Sequence, residues 1–297
     1  MMMDTASLYR IFMEHPVVTT DSRKCPSGSM FFALRGDTFN GNDYALQALE
    51  KGCAVAVVDD PSCVPAGDSR FILVDNVLAA LQQLAAWHRR QWGGPVVQVT
   101  GTNGKTTTKE LLAAVLGRKY KVHYTQGNLN NHIGVPLTLL GLRAEHNMAV
   151  VETGANHPGE IAQLCGFAQA DCGLITNVGR AHLEGFGSFE GVKRTKGELY
   201  DNLKARGKFI FLNAQDDDLR QMAEERGFLK VARKKDSIGV CFCPMDYRTF
   251  LRNHVPENLI YPGKFYDEKG NFVAKHEGYP FYTIGQRRGL VVQSDKF

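Results

Sequence analysis

The chain has 297 residues, which at roughly 150 residues per domain predicts two domains, each large enough for a hydrophobic core. Hydrophobic residues at 43% and charged residues at 22% exclude a wholly disordered, collagen-like or disulfide-stapled small protein. The formal net charge is +4, but residues 219–297 carry 14 basic and 9 acidic side chains, so the whole excess lies there. The same segment holds 12 of the 29 aromatic residues, which indicates two joined sequences of different character.

Targeting signals and disulfides are not indicated by the sequence. No stretch approaches the ~20 apolar residues that a membrane-spanning helix needs, and the first residues lack the pattern of a signal peptide. The seven cysteines are odd in number and form no CxxC pair, which disfavours a disulfide framework and a zinc ribbon. We therefore expect a cytoplasmic protein, without membrane insertion, whose cysteines are reduced.

The first 94 residues alternate short β-branched or aromatic runs with amphipathic stretches. Strands are predicted at 30–34, 54–58 and 71–74, and helices at 44–51 and 77–92. This pattern predicts a small N-terminal α/β domain over residues 1–94.

From residue 95 the sequence repeats a strand, a loop and a helix. Strands are predicted at 95–100, 148–152, 173–177 and 208–213, and a helix at 105–116. Because these apolar runs do not alternate with polar residues, they suit strands buried on both faces of a mostly parallel sheet with helices on both sides. We assign residues 95–216 to this second α/β domain.

The pattern changes again after residue 216. A short helix is predicted at 219–227, followed by short aromatic strands broken by glycine and proline turns. Residues 217–297 are therefore expected to form a small β-rich C-terminal module.

The strongest chemical signal is VTGTNGKTTT at residues 99–108. Glycines 101 and 104 permit a tight turn after a buried strand, and Lys105 and Thr106 open a helix whose N-terminus attracts phosphate. Lys105 adds a charge, and the Thr106 hydroxyl is a ligand type suited to Mg2+. Only two residues separate the glycines, whereas the standard motif has four, yet a plain glycine turn explains the GKT context less well than a nucleotide triphosphate site does.

Polar residues at the ends of neighbouring strands are candidates for further Mg2+ ligands. Glu152 closes the strand at 148–152, and Asn177 and His182 follow the next strand. Each is an ordinary surface residue when taken singly, but strand ends meet at the ligand-binding edge of an open α/β sheet. Lys196 lies on a predicted helix and is, from composition alone, a solvated lysine.

Several motifs in order resemble the ATP-dependent Mur ligases of peptidoglycan synthesis. They are VTGTNGKTTTKEL, GNLNNHIGVPLTLL, VVETGANHPGEI and TNVGRAHLEGFGSFEGVKRTKGELY, and the resemblance covers about residues 5–215. Within the family the chain is most similar to the ligases that join D-alanyl-D-alanine to UDP-muramoyl-tripeptide. The segment TTDSRKCPSGSMFFALRGDTFNGNDY resembles the small uridine-nucleotide domain, with Asp21, Ser22 and Arg23 in its signature.

The resemblance implies a reaction and a set of site residues. ATP phosphorylates the terminal carboxylate of the muramoyl tripeptide, and the amine of D-alanyl-D-alanine then displaces phosphate from the acyl phosphate. Lys105 and Lys196 are implied as catalytic residues, Lys196 at a position that is carbamylated in several Mur ligases. The remaining roles carry over as ATP binding by Gly101, Thr102, Asn103, Gly104, Lys105, Thr106 and Thr107, Mg2+ ligation by Thr106, Glu152 and His182, and substrate binding by Ser22, Arg23, Asn128, Asn130 and Asn131.

The C-terminal segment resembles a different family, the tRNA-specific 2-thiouridylases, over about residues 219–297. There the cysteine of DSxGxCF, here Cys241, carries persulfide sulfur, and the KKDS and GQRRG segments lie against tRNA. The ATP-pyrophosphatase loop and the other catalytic cysteine of that family have no counterpart in this sequence. We therefore interpret Cys241 as a small buried residue, with Cys243 on the same strand face.

Three hypotheses remain open for a protein that we expect to be monomeric. The first is a Mur-type ligase whose activity is impaired, because the adenine-gripping part and closing domain of the family are not recognisable after about residue 213. The second is a sulfur-transfer fragment in which the tail contacts tRNA. The third is a non-catalytic nucleotide-binding fusion, which we favour for the activity of this exact chain, whereas ancestry favours the first.

Overall fold

The computed structural model describes residues 3–179, 183–232, 247–266, 270–278 and 281. It divides into two compact units, Met1–Lys234 and Lys235–Phe297. Over the described ranges, no helix is both long and apolar enough to cross a membrane.

The first unit begins with a four-stranded parallel sheet in the order β1-β2-β3-β4. One face packs on a core that includes Phe12 and Phe32, and the other packs on α2 through Phe31 and Val58. The elements of this part are α1 (Thr5–Glu14), β1 (Val18–Thr19), β2 (Met30–Phe32), α2 (Ala45–Glu50), β3 (Val55–Val58), β4 (Phe71–Leu73) and α3 (Val77–Trp92), with short 3-10 helices at Gly41–Tyr44 and Pro61–Cys63.

Helix α3 has clear start and stop signals in the sequence. The Asn76 side chain accepts a hydrogen bond from the Ala79 amide, and Gly93 ends the helix in the left-handed conformation. The Arg89 guanidinium of α3 donates to the carbonyls of Ala168 and Gln169, which lie just before a strand of the second sheet. Helix α3 therefore also contacts the part of the chain that forms that sheet.

The second sheet has five parallel strands in the order β6-β7-β5-β8-β9. The central strand β5 is buried along its whole length. The elements are β5 (Val96–Thr100), α4 (Lys105–Leu116), β6 (Val122–Tyr124), α5 (Gly134–Leu140), β7 (Met148–Glu152), α6 (Glu160–Ala168), β8 (Cys172–Ile175), α7 (Leu183–Phe186), α8 (Phe189–Ala205), β9 (Phe209–Phe211), α9 (Asp217–Glu225) and α10 (Leu229–Ala232).

Helices cover both faces of this sheet. Val97, Val99 and Cys172 face Leu112 and Leu116 of α4. The other face packs on α5, α6 and α8 within the large core of the unit. The predicted α/β class with parallel sheets is thereby confirmed, whereas α1, α5, α6, β1 and β6 were not anticipated because they are short or lack clear periodicity.

Residues 217–225 form α9, which packs within the first unit. Leu219 and Met222 are buried in its core, and the Lys193 ammonium on α8 lies 2.6 Å from an Asp218 carboxylate oxygen. The Asp216 side chain caps the helix by accepting from the Leu219 amide. The domain boundaries at 94 and 216 stay predictions.

The second unit contains α11 (Tyr247–His254), a 3-10 helix at Glu257–Leu259, and an antiparallel pair of β10 (Gly263–Tyr266) and β11 (Phe272–His276). Phe281 is buried, and the Arg252 guanidinium lies 5.2 Å from its ring centre. The hairpin agrees with the predicted β-rich module, whereas α11 was not predicted.

Candidate functional site

The glycine-rich turn between β5 and α4 requires both of its glycines. Gly101 has φ of 143° and Gly104 has φ of 75°, which are conformations that L side chains rarely adopt. A Cβ atom on Gly101 would also collide with the Thr176 hydroxyl. The turn therefore brings backbone N–H groups close to the start of α4 without side chains in the way.

Residues after β8 hold this turn from the side. The Asn177 amide group accepts from the Asn103 N–H at 3.1 Å and donates to the Asn103 carbonyl at 3.0 Å. The Thr176 hydroxyl donates to the same carbonyl at 2.6 Å. Asn177, considered above as a metal-ligand candidate, thus fixes the loop in this structure.

Lys105 lies at the first position of α4 and folds back over the turn. Its ammonium donates to the carbonyls of Gly101 and Thr102 at 2.9 and 3.0 Å. Burial lowers the pKa of Lys105, while the nearby Glu152 charge raises it. Among the described residues no side chain caps α4, so its N-terminal amides remain available to an anion. The Thr106 and Thr107 side chains are exposed beside them.

Glu152 closes β7 and is almost fully buried, with 1% of its surface exposed. One carboxylate oxygen accepts from the Asn130 amide at 2.8 Å and from the Thr106 hydroxyl at 3.4 Å. The other oxygen is buried and has no hydrogen-bond partner in the described part of the chain. An unpartnered buried carboxylate oxygen is costly unless a cation or donor joins it, so the residues here fit a hard cation such as Mg2+.

His182, the third predicted metal ligand, lies outside the described residues. Within the described residues, no group of three or more His, Cys, Asp or Glu side chains forms a ready metal cluster. Thr106 and Glu152 are therefore the described ligand candidates.

The loop between β6 and α5 carries the three predicted substrate asparagines. Asn130 contacts Glu152, and its carbonyl accepts from the Gly154 amide at 2.8 Å. The Asn131 side chain accepts from the amides of Ile133 and Gly134 and so supports the start of α5. The side chain of Asn128 is exposed.

A cavity of about 270 Å3 opens beside the glycine-rich turn. It is lined by residues of the turn, of the loop between β6 and α5, of the segment after β7, and of helices α6, α7 and α8. Lys196 of α8 faces it and is 3% exposed, with its ammonium 5.5 Å from the Phe186 ring centre. Burial, and secondarily the charge of Lys105, lowers the pKa of Lys196 to about 8.

Ser22 and Arg23 lie on a separate loop after β1. The Arg23 guanidinium makes two hydrogen bonds to the Asp21 carboxylate, at 2.8 and 3.0 Å. The hydrogen bonds from Arg23 hold the pKa of Asp21 at about 2. The Ser22 carbonyl accepts from the Lys51 ammonium at 2.9 Å, so both predicted substrate residues are held at the surface of the first sheet.

Several residues that line the cavity were not among the site residues predicted from the sequence. Asn156, His157 and Glu160 line it within the quoted VVETGANHPGEI motif, and Phe186 forms a wall beside Lys196. The sequence did contain a signal for these residues, because a histidine and a glutamate three residues apart follow the strand that ends at Glu152. Cys241 and Cys243, singled out in the tail, lie outside the described residues.

Comparison with known protein families gives three matches. Residues 16–89 match the Mur ligase family, catalytic domain, and residues 99–240 match the Mur ligase middle domain. Residues 248–296 match the tRNA methyl transferase PRC-barrel domain.

Curated and solved relatives agree with these matches. UDP-N-acetylmuramoyl-tripeptide--D-alanyl-D-alanine ligase of Bacillus subtilis is 43% identical over 206 residues, which are 69% of this chain and 45% of that protein. The crystal structure of MurF from Acinetobacter baumannii aligns with a TM-score of 0.64 at 40% identity over 70% of this chain and 46% of that one. MurF ligase from Thermotoga maritima in complex with ADP aligns at 0.58 and 34% identity over 64% and 44%.

The tail has its own relative. tRNA-specific 2-thiouridylase MnmA 2 of Phocaeicola vulgatus is 67% identical over 78 residues, which are 26% of this chain and 22% of that protein. The chain thus spans less than half the length of the ligases that it matches, and its C-terminal piece is similar to another enzyme. Over residues 16–89 and 99–240, the chain thus consists of Mur ligase family domains.

Proposed function

We propose that this chain binds MgATP and UDP-muramoyl-tripeptide as an ATP-dependent amide ligase of peptidoglycan synthesis, with D-alanyl-D-alanine as the incoming amine. The observation that carries the proposal is the buried Glu152 carboxylate. One of its oxygens accepts from Thr106 at the start of α4, and the other has no hydrogen-bond partner among the described residues. The names of the similar ligases support the substrates. The protein is proposed to act as a cytoplasmic monomer.

In this proposal the turn and the N-terminus of α4 hold the nucleotide phosphates. Residues 101–107 donate backbone N–H groups and the Lys105 ammonium, while Thr106 and Glu152 hold Mg2+, with His182 as a further ligand. The metal, when bound, neutralises phosphate charge during transfer to the tripeptide carboxylate. Ser22 and Arg23 bind the uridine nucleotide.

The cavity beside the turn is proposed to take the end of the tripeptide. Asn130 and Asn131 line it from the loop between β6 and α5, and Lys196 lines it from α8. Asn128, on the same loop, is proposed to contact the substrate as well. A pKa of about 8 gives Lys196 a substantial fraction of neutral amine at mildly alkaline pH, which is the form that reacts with carbon dioxide. We propose that Lys196 is carbamylated and then contributes an anionic oxygen ligand.

Complete ligation is proposed to be impaired in this chain. The Mur ligase match reaches residue 240, and residues 248–296 match the tRNA methyl transferase PRC-barrel domain instead. We therefore expect substrate binding with phosphate release near background.

Equilibrium binding of UDP-muramoyl-tripeptide, with a non-hydrolysable ATP analogue and Mg2+ present, tests the ligase assignment. We expect saturable binding that Arg23→Ala weakens at least tenfold, whereas the exposed control Arg10→Ala leaves it unchanged. A protein that binds the nucleotide but gives no saturable tripeptide binding would exclude the ligase and leave a non-catalytic nucleotide-binding fusion.

A second candidate function rests on the 67% identity of the tail to a tRNA thiolation enzyme. In that alternative, Cys241 carries persulfide sulfur and the basic tail contacts tRNA. Mass spectrometry after incubation with a sulfur donor discriminates between amide ligation and sulfur transfer. A persulfide on Cys241 that is absent in Cys241→Ser favours sulfur transfer.

A further inference from the structure

Lys109 is the unusual residue of α4. It is one helical turn beyond Lys105, and its side chain is completely buried. Buried lysines are rare because removing the ammonium from water is costly unless donors find partners. An apolar residue of similar volume would fill the same space at lower cost, so the ammonium points to contacts that require a cation.

The ammonium of Lys109 is directed at the loop that carries the asparagines. It donates to the Thr125 carbonyl at 2.7 Å and to the Gly127 carbonyl at 3.4 Å. The Glu110 carboxylate lies 2.9 Å away, and the Tyr124 ring centre lies 5.7 Å away. One side chain of the phosphate-loop helix therefore holds two carbonyls at the start of residues 125–131, the Asn loop.

The Asn loop in turn positions Glu152. The Thr125 hydroxyl accepts from the Glu152 amide at 2.9 Å, and the Thr125 amide donates to the Val150 carbonyl at 3.1 Å. Further along, the Asn130 amide group donates to the Glu152 carboxylate at 2.8 Å. Glu152 is thus held by its backbone and by its side chain from the same loop.

The helix, the Asn loop and Glu152 are each in contact with the other two. The Glu152 carboxylate accepts from Thr106, which lies on α4 three residues before Lys109. Helix α4 therefore contacts the Glu152 carboxylate directly through Thr106 and indirectly through Lys109 and the Asn loop. If the Lys109 contact were lost, the loop could shift relative to α4, and the carboxylate would lose its fixed orientation toward Thr106.

We propose that Lys109 is a positioning residue that ties the Asn loop to the phosphate-loop helix and thereby orients the Glu152 carboxylate toward Mg2+. The proposal rests on the nucleotide site proposed above and deepens it. Groups that orient a metal ligand from behind typically change metal affinity 10–100-fold when they are removed.

The test compares Lys109→Met with the full-length wild type and with Lys119→Met, an exposed lysine just after the same helix. Binding of a fluorescent ATP analogue is titrated with MgCl2. We expect Lys109→Met to raise the Mg2+ concentration at half-maximal binding about tenfold and Lys119→Met to leave it unchanged. Lys109→Gln, which keeps an N–H donor without the charge, is expected to fall between wild type and Lys109→Met, and it carries the test if Lys109→Met does not fold.

Hydrogen exchange in the nucleotide-free chain gives a readout that is independent of the proposed function. Amides of residues 125–131 should exchange faster in the Lys109 variant than in wild type, while amides of β5 keep their protection. Unchanged exchange in the loop, or an unchanged Mg2+ requirement in a folded variant, would overturn the proposal. If Lys105→Ala leaves nucleotide binding intact, the nucleotide site itself is misassigned, and the exchange result alone decides whether Lys109 holds the loop.

Discussion

At the scale of single residues, burial separates Lys196 from an ordinary surface lysine. The sequence places it on a helix with Leu199, Tyr200 and Leu203, and α8 has these residues buried on one face. What the sequence could not give is the depth of Lys196 itself, because that depends on Phe186 and on the closeness of Lys105, which come from other elements. The glycine-rich turn itself was predictable, since Gly101, Gly104 and Lys105 lie within five consecutive residues after a strand.

In the nucleotide-free chain in buffer free of carbon dioxide, where Lys196 is a free amine, its lowered pKa predicts a pH-dependent contribution to stability. The charged form is disfavoured in the folded state, so the cost is complete below about pH 8 and is relieved as the pH rises toward the ordinary value of 10.5. The free energy of unfolding of wild type relative to Lys196→Met should therefore rise by about 2–3 kcal/mol between pH 7 and pH 10.

Urea unfolding at several pH values measures this difference. Other ionisable groups are common to both proteins and largely cancel, and Lys119→Met serves as the exposed control. Parallel pH profiles for wild type and Lys196→Met would contradict the assigned environment.

At the scale of elements, α6 and α8 are joined by one carboxylate. Glu198 of α8 accepts hydrogen bonds from the amides of Gly159 and Ala162, both at 2.8 Å, at the start of α6. This cap replaces the side chain that α6 lacks at its own N-cap, Gly159. No local sequence pattern signals it, because the partners are far apart along the chain, and α6 was accordingly not predicted.

Loss of this shared cap should destabilise the protein. We expect Glu198→Ala to lower the free energy of unfolding by about 1 kcal/mol, since N-terminal amides lose both an acceptor and a favourable negative charge. Glu14→Ala, at an exposed glutamate at the end of α1, provides the control. Equal losses in the two variants, measured by chemical denaturation, would mean that the cap contributes no stability.

At the scale of the whole molecule, the charge distribution marked a change of sequence family. The basic and aromatic segment after residue 218 contains the match to the PRC-barrel domain at 248–296, whereas the Mur ligase match extends to residue 240. Composition located the change to within a few tens of residues. Composition could not show that α9 packs within the first unit, because the contacts of Leu219 and Met222 form only in the folded core.

The proposed function depends on one nucleotide site built from the turn at 101–104, Lys105 and Glu152. Titration calorimetry of the full-length chain with ATP, with and without Mg2+, measures it most directly, with Lys119→Ala as the control for Lys105→Ala. We expect Mg2+-dependent binding at a single site in the wild type and in the control, and loss of that binding in Lys105→Ala. Undiminished binding by Lys105→Ala would contradict the assignment of this nucleotide site.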